Sequence, residues 1–496
     1  MVTGMGPKLI IKGGRVIDPA QSLNKIADVG IADGKIVAIG DIPDVGDAEI
    51  VDVSGLLVTP GLVDLHVHAY GSLGFSQPDS IGIDQAVTTY VEAGGPGPDT
   101  FAEYDAVMSD ATVADLYCML WFRPVGLVGI GHIEGDIRSL MNWDIPRWMD
   151  LVDANRDKIK YLKTGAFGDY GLGPLKMGKG LADILELPTY AHIGDFQVTP
   201  KRLTTADAFD LAMANDVVTH IYHKNLGTIF DDDGKVLPEV RAAKKRGALF
   251  DIGFGAFNFA WDIAEQALAQ DIAPDIISSD LQQFNTLGPT YSLAHVMSCF
   301  LVLGFSLEEV IEMVTLAPAR ALSIEDKAGS LKIGMAADVS VLRIEQGEFA
   351  FDGCFEDVRT GEKRFVPVMA FKEGSQYLSD LQSSRDERNW IMQIAEDAPP
   401  AAAYGLSYAE KFFLESLAES LQSALWDHED INLTAATAVQ NRVHEVKSAA
   451  GLPLKNALRS IYRCFLDDPF TYQIGLFLTR MDRNFVLERM RNVARA

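Results

Sequence analysis

Cysteine is scarce in this chain: four thiols, Cys118, Cys299, Cys354 and Cys464, are spread over 496 residues. Their separation fits neither a disulfide framework nor a zinc cluster, so hydrophobic cores must hold the fold. Cationic side chains are outnumbered, 43 lysines and arginines against 69 acids, for a net charge of −26. That balance argues against broad binding to nucleic acid or an anionic membrane, though not against a local basic patch. No apolar run approaches membrane-spanning length, and residues 1–8 lack the charged, apolar and cleavage regions of a signal peptide. A cytoplasmic protein with no membrane contact is the expectation. With 48% apolar and 23% charged residues, the chain can build substantial cores and is not disordered.

The first fifty-odd residues alternate short β-rich runs with turns, including Asp33-Gly34 between two such runs. Similar material returns at 337–342 and 366–371, so residues 1–57 with 330–375 are expected to form a small β-sandwich built from both ends. Between them, strand-like runs near 62–68, 87–93, 116–121, 159–163, 188–192, 216–220, 248–252 and 275–280 alternate with helical patterns. Eight such units over 58–329 suit an α/β TIM (β/α)8 barrel, whose chemistry sits at the C-terminal strand ends. Residues 376–403, with Pro399-Pro400 among alanines, read as a linker. Residues 404–496 read as an appended α-helical domain, with Phe412, Phe413, Leu414, Leu417, Leu421 and Leu425 as its first apolar face.

The most informative stretch is Val63-Asp64-Leu65-His66-Val67-His68, which closes an apolar run. Residues i and i+2 of a strand share a face, so two imidazoles are presented side by side, as a borderline-soft divalent metal requires. Lys163, His192, His220 and Asp280 follow, each at the end of its own short apolar run. Singly, each has an ordinary reading. His66 and His68 could be strand-end imidazoles, His192 and His220 core or capping residues, Lys163 a solvated lysine and Asp280 a helix N-cap. Lys160 is the off-register competitor of Lys163. His132, His223 and His295 lie off the pattern, and His428 and His444 fall in the helical tail.

The order His-x-His, Lys, His, His, Asp resembles the metal set of the amidohydrolase superfamily, as do residues 59–68, 315–322 and 329–339. The stretches around His192, His220, Asp251 and Asp280 look closest to its dihydroorotase-like deacetylase branch, and the resemblance covers roughly residues 8–375. It implies two divalent metal ions, zinc by ligand type, one held by His66, His68 and Asp280 and the other by His192 and His220. Lys163 would carry a bridging carbamate, and Asp280 would take a proton from a metal-bridging hydroxide and pass it on. Arg123, after the third strand, is a candidate partner for a substrate carboxylate. Two departures face the substrate mouth in that resemblance: Phe254 where the branch carries histidine between two glycines, and Gln282 where histidine commonly follows. The implied activity is hydrolysis of an acyl amide or ester of a small amino or hydroxy acid. Cyclic-amide hydrolysis, as in dihydroorotases and hydantoinases, is the alternative.

Residues 457–466 and 474–478 resemble the C-terminal helical domain of class I lysyl-tRNA synthetases, although Phe470-Thr471-Tyr472 replaces that family's Gly-Pro-Arg. This implies a third reading, a repurposed barrel acting as a scaffold or tRNA-associated partner through residues 404–496. The ordinary reading is a solvated helical face packed on the barrel or on a second copy in a homo-oligomer.

Overall fold

The computed structural model of the protein describes residues 7–495 except 44–45, 71–77, 128–143, 166–171, 195–203, 283–284, 287, 356, 380–397, 425, 427–438, 440–441, 444, 448, 453, 466–477 and 480. It divides into two compact units, one mainly of residues up to 384 and the other mainly of 385–496.

The first unit opens with β1 (Leu9–Asp18), β2 (Leu23–Ala32), β3 (Lys35–Gly40), β4 (Glu49–Asp52) and β5 (Leu57–Pro60). Seven strands follow: β6 (Leu62–Val67), β7 (Val87–Ala93), β8 (Asp115–Trp121), β9 (Ile159–Gly165), β10 (Thr189–His192), β11 (Val217–Thr219) and β12 (Leu249–Asp251). The unit ends with β13 (Val339–Asp352), β14 (Val358–Lys372) and β15 (Ser375–Leu378).

The two ends of this unit make a single sheet of eight strands, β15-β14-β13-β5-β1-β2-β3 with β4 beside β1. These strands from both ends enclose a core of Ile11, Val16, Val29, Ile31 and Val58 with Val339, Val341 and Phe371. Each half of that core is useless without the other, which is why both ends are β-rich. The β2–β3 turn is Asp33-Gly34, both residues with positive φ (50° and 72°), as a tight hairpin demands. The sheet also runs past the expected boundary at 375, because β15 pairs antiparallel with β14 over Ser375–Leu378.

The middle strands form a parallel sheet in sequence order, β6 to β12. The expected eighth strand survives as two bridges, Ile276 to Asp251 and Leu281 to Val67, which join the sheet's two outer strands and close the ring. It is not a regular strand because Asp280 adopts a left-handed φ of 49°. Strands buried on both faces need apolar side chains on both, and every residue of β6 and β7 is buried. Val63, Leu65, Val91, Met119, Tyr161, Tyr190, Val217 and Ile276 fill the interior. Helices such as Leu172–Leu185, Pro238–Arg246 and Leu293–Val302 connect the strands. Pro238–Arg246 starts on proline, ends on three cations and is capped by Gly247 at φ 91°.

The second unit contains helices Tyr408–Ser420, Leu454–Arg463 and Arg483–Arg495. Its core holds Phe413, Leu414, Leu417, Leu421, Ile461, Val486 and Met490. Phe412, expected on that face, is 55% exposed, because it precedes the buried stripe by one residue and points away. Part of the expected linker is ordered as a 3-10 turn, Ala401–Gly405. Leu425, His428, His444, residues 470–472 and residues 474–477 lie outside the described residues. Among the described residues, no helix is long and apolar enough to cross a membrane.

Candidate metal centre

His66 on β6 and His68 just past its end are both buried at the C-terminal mouth of the parallel ring. Asp280 places Oδ1 3.4 Å from His66 Nε2 and 3.2 Å from His68 Nε2. One donor atom from each of these three residues lies within 4.8 Å of the others. Lys163 on β9 brings Nζ 3.0 Å from His66 Nε2. The His220 ring is centred 5.2 Å from that of His66 and 4.4 Å from that of His192. Six residues from five strand ends thus form one buried cluster. Lys160 is excluded: it is half-buried on the other face of β9, its ammonium over the Tyr117 ring. The two-residue period of a strand separates it from Lys163, which follows the inward Tyr161.

The local backbone serves this convergence. Thr219 and His220 are consecutive yet both turn inward, which regular alternation forbids; a left-handed φ of 71° at His220 allows it. Gly253 and Gly255 also have positive φ. A Cβ at Gly253 would sit 2.6 Å from His220 Nδ1, and one at Gly255 2.4 Å from Asp280 Oδ2. The Gly-x-Gly spacing is therefore a clearance requirement for two cluster residues.

Tautomers follow from partners that can only accept. His220 Nδ1 donates to the Gly253 carbonyl at 2.7 Å, leaving Nε2 as the lone pair. His192 Nε2 faces the Gly194 carbonyl at 3.3 Å, leaving Nδ1. Burial, reinforced by neighbouring charge, holds His66, His192 and His220 well below the usual imidazole range. Burial also pushes the Lys163 amine down to about 7. His68 is the exception: burial lowers it, but Asp280 and Glu92 more than offset this and raise it. Asp280 would be raised by burial, yet His66, His68 and Lys163 keep it below the ordinary carboxylate value. Buried imidazoles, three of them held neutral, beside an ionised carboxylate are the donor set a zinc-class divalent ion takes, so these residues fit such a group.

Three buried acids escaped the sequence reading. Glu92, within the otherwise uncharged β7, accepts Ala69 N–H and Tyr70 N–H at 2.6 and 2.8 Å and lies 3.7 Å from His68 Nδ1. Asp64 accepts the Ser279 amide at 3.0 Å, and burial lifts its carboxyl to about 7. Asp251 lies 3.9 Å from His66 Nδ1. An acid inside a run of buried apolar residues was the available signal, since such a group is rare without partners.

Of the other candidates, Gln282 donates Nε2–H to Asp280 Oδ1 at 3.1 Å, with Asn258 donating to the second oxygen at 3.1 Å. Gln282 thus touches a cluster residue. Arg123 is buried two residues beyond β8, at the same end of the ring. Phe254 has no exposed surface and stacks on Phe259 at 4.5 Å. His223 and His295 are likewise buried, and His132 lies outside the described residues.

Residues 262–375 match the model of the amidohydrolase family. Over 345 residues the chain is 29% identical to a deacetylase of Agrobacterium fabrum, covering 68% of this chain and 83% of that one. Over 347 residues it is 30% identical to a deacetylase of Brucella anthropi, covering 68% and 84%. A dihydroorotase crystal structure superposes with a TM-score of 0.66 at 26% identity, covering 75% of this chain and 98% of that one.

Proposed function

The chain belongs to the amidohydrolase family and is a hydrolase acting on C–N bonds, and from that premise we propose that it is a deacylase of small N-acyl amino acids or related acyl esters. The observation that carries this reading is the buried convergence of His66, His68, Lys163, His192, His220 and Asp280 at one strand-end mouth. His66, His68 and Asp280 would hold one divalent ion, His192 and His220 a second, with zinc as the natural occupant. Such ions supply Lewis acidity and lower the pKa of water to about 7 in known zinc enzymes.

Two residues act directly. Lys163, its amine lowered to about 7 by burial, has the neutral form that would take up carbon dioxide, releasing one proton to solvent, and the resulting carbamate would offer an anionic ligand to both sets. Asp280, held ionised and oriented by Gln282 and Asn258, takes the proton of the attacking water and hands it to the departing nitrogen. Arg123, at the same mouth, would pair a substrate carboxylate. The scarcity of cysteine supports a reducing, cytoplasmic setting.

The test is elemental analysis with a substrate panel, run on wild type, Lys163→Ala and Asp280→Asn. Two ions per chain in the wild type, fewer in Lys163→Ala, and a loss of roughly 10²–10⁴ in turnover for Asp280→Asn are expected. Unchanged hydrolysis in both variants would sink the reading. The likeness to a dihydroorotase structure favours one second reading, cyclic-amide hydrolysis, which the same panel separates.

A further inference from the structure

Beneath the six-residue cluster, the next layer of the barrel holds a polar group that the proposed chemistry does not use. Asp251, at the end of β12, has no exposed surface. Its Oδ2 accepts three hydroxyl protons, from Tyr190 on β10 at 2.6 Å, Thr219 on β11 at 2.6 Å and Ser278 at 2.8 Å. Tyr190 and Thr219 also lie 3.4 Å from His66 Nδ1, whereas His66 Nε2 faces Lys163 and Asp280. A hydroxyl has a single proton. Once Tyr190 and Thr219 give theirs to Asp251, only oxygen lone pairs are left facing the ring, and His66 Nδ1 must be the donor.

We propose that Asp251 is a positioning residue that acts through the Tyr190 and Thr219 hydroxyls to hold His66 as its Nδ1–H tautomer, so that the Nε2 lone pair faces the cluster. The inference deepens the metal-centre reading and rests on it. The arrangement differs from those of the other two histidines: His220 and His192 have their tautomers set by backbone carbonyls, which cannot do otherwise. His66 faces hydroxyls, which could donate or accept, so its tautomer depends on what those hydroxyls bond behind them. Asp251 settles the question because one and the same oxygen, Oδ2, faces all three hydroxyls and accepts from each of them. The distance from Asp251 to His66 Nδ1, 3.9 Å, is too long for a direct hydrogen bond, so the hydroxyls are the connection.

Asp251→Asn replaces the all-acceptor group by one whose amide donates. The hydroxyl protons are then free to turn toward His66, moving the ring proton to Nε2, where it opposes a cation. The expected result is a loss of roughly 10- to 100-fold in zinc affinity, read by chelator competition on the full-length chain. The double variant Tyr190→Phe/Thr219→Val should lose affinity comparably, since it deletes both acceptors. Ser278→Ala is the discriminating control: Ser278 bonds Asp251, but its hydroxyl is not among those at His66, so zinc affinity should stay within about 3-fold of wild type. A network that only stabilised the fold would lower the melting temperature in all three and leave the affinity of the folded protein alone.

A second measurement works without metal: nitrogen NMR of labelled histidine in the zinc-free protein, with His66 assigned by comparison with His66→Gln. An Nδ1–H ring in wild type that shifts toward Nε2–H in Asp251→Asn is expected. Wild-type zinc affinity in both Asp251→Asn and the double variant, or an Nε2–H ring at His66 in wild type, would overturn the proposal. A wild-type chain that takes up no zinc would count against the metal-centre reading, and the NMR result would still decide the tautomer.

Discussion

Two buried imidazoles outside the metal cluster carry a consequence for pH. Burial pushes both His223 and His295 down to about 4, the latter despite the raising influence of Asp352. In the unfolded chain they titrate near 6.5, so between 6.5 and about 4 the unfolded state binds more protons than the folded one. Stability therefore rises with pH through that window and is lost as pH falls from 6.5 toward 4. Thermal melts of the protein at pH 7.5 and pH 4.5 should show a melting temperature lower by several degrees in acid. His295→Leu should reduce the slope, because His295 sits in an aromatic cage of Phe254, Tyr291 and Phe351 that tolerates an apolar side chain. Equal slopes in wild type and variant would remove His295 from the account.

Elements matter here through how they end. Strands of a parallel ring are locally simple, and the short strand-like runs placed all seven regular strands to within a few residues. Their ends hold the chemistry, and there the chain abandons regularity: His220 and Asp280 are left-handed, and Gly253 and Gly255 give them clearance. Gly255→Ala forces a Cβ against Asp280 Oδ2 at a backbone angle costing roughly 1 kcal/mol for an L-residue. The expected outcome is a folded protein, melting only a few degrees lower, with metal content and turnover both reduced at least tenfold. Full metal content in Gly255→Ala would show that the loop after β12 yields without moving Asp280. The eighth strand was legible as an apolar run but not as two bridges, because the departure at Asp280 is a backbone choice that composition does not announce. Phe412 shows the same limit on the helical side, where one position of helical phase separates a buried ring from an exposed one.

At the scale of the molecule, the first unit draws its eight-stranded sheet from both of its ends. Val16 and Val58 share a core with Val339, Val341 and Phe371, so truncation before Val339 removes three strands and opens that core. Such a chain should fail to accumulate as folded protein. Truncation at residue 384 leaves the sheet and the ring complete, and should retain cooperative melting and the metal content of the full chain. Aggregation of the longer truncation, assayed by expression yield and circular dichroism, would show that the helical unit of residues 385–496 is needed to fold the first.

Side-chain alternation along a strand is a local property, and a β-run terminates where its apolar residues stop. The sequence by itself therefore determined that His66, His68, Lys163, His192, His220 and Asp280 sit at strand ends, and that His66 shares a face with His68. It could not rank Lys163 against Lys160 by contact, nor tell that Phe254 would stack on Phe259. Least of all could it find Asp251, Tyr190 and Thr219 under His66, since their meaning depends on which strands stand opposite one another at the same depth. Only ring closure decides that: the 276–281 segment bridges β12 to β6, and three hydroxyls, a carboxylate and an imidazole then meet in one buried layer, where Asp251 Oδ2 collects the hydroxyl protons.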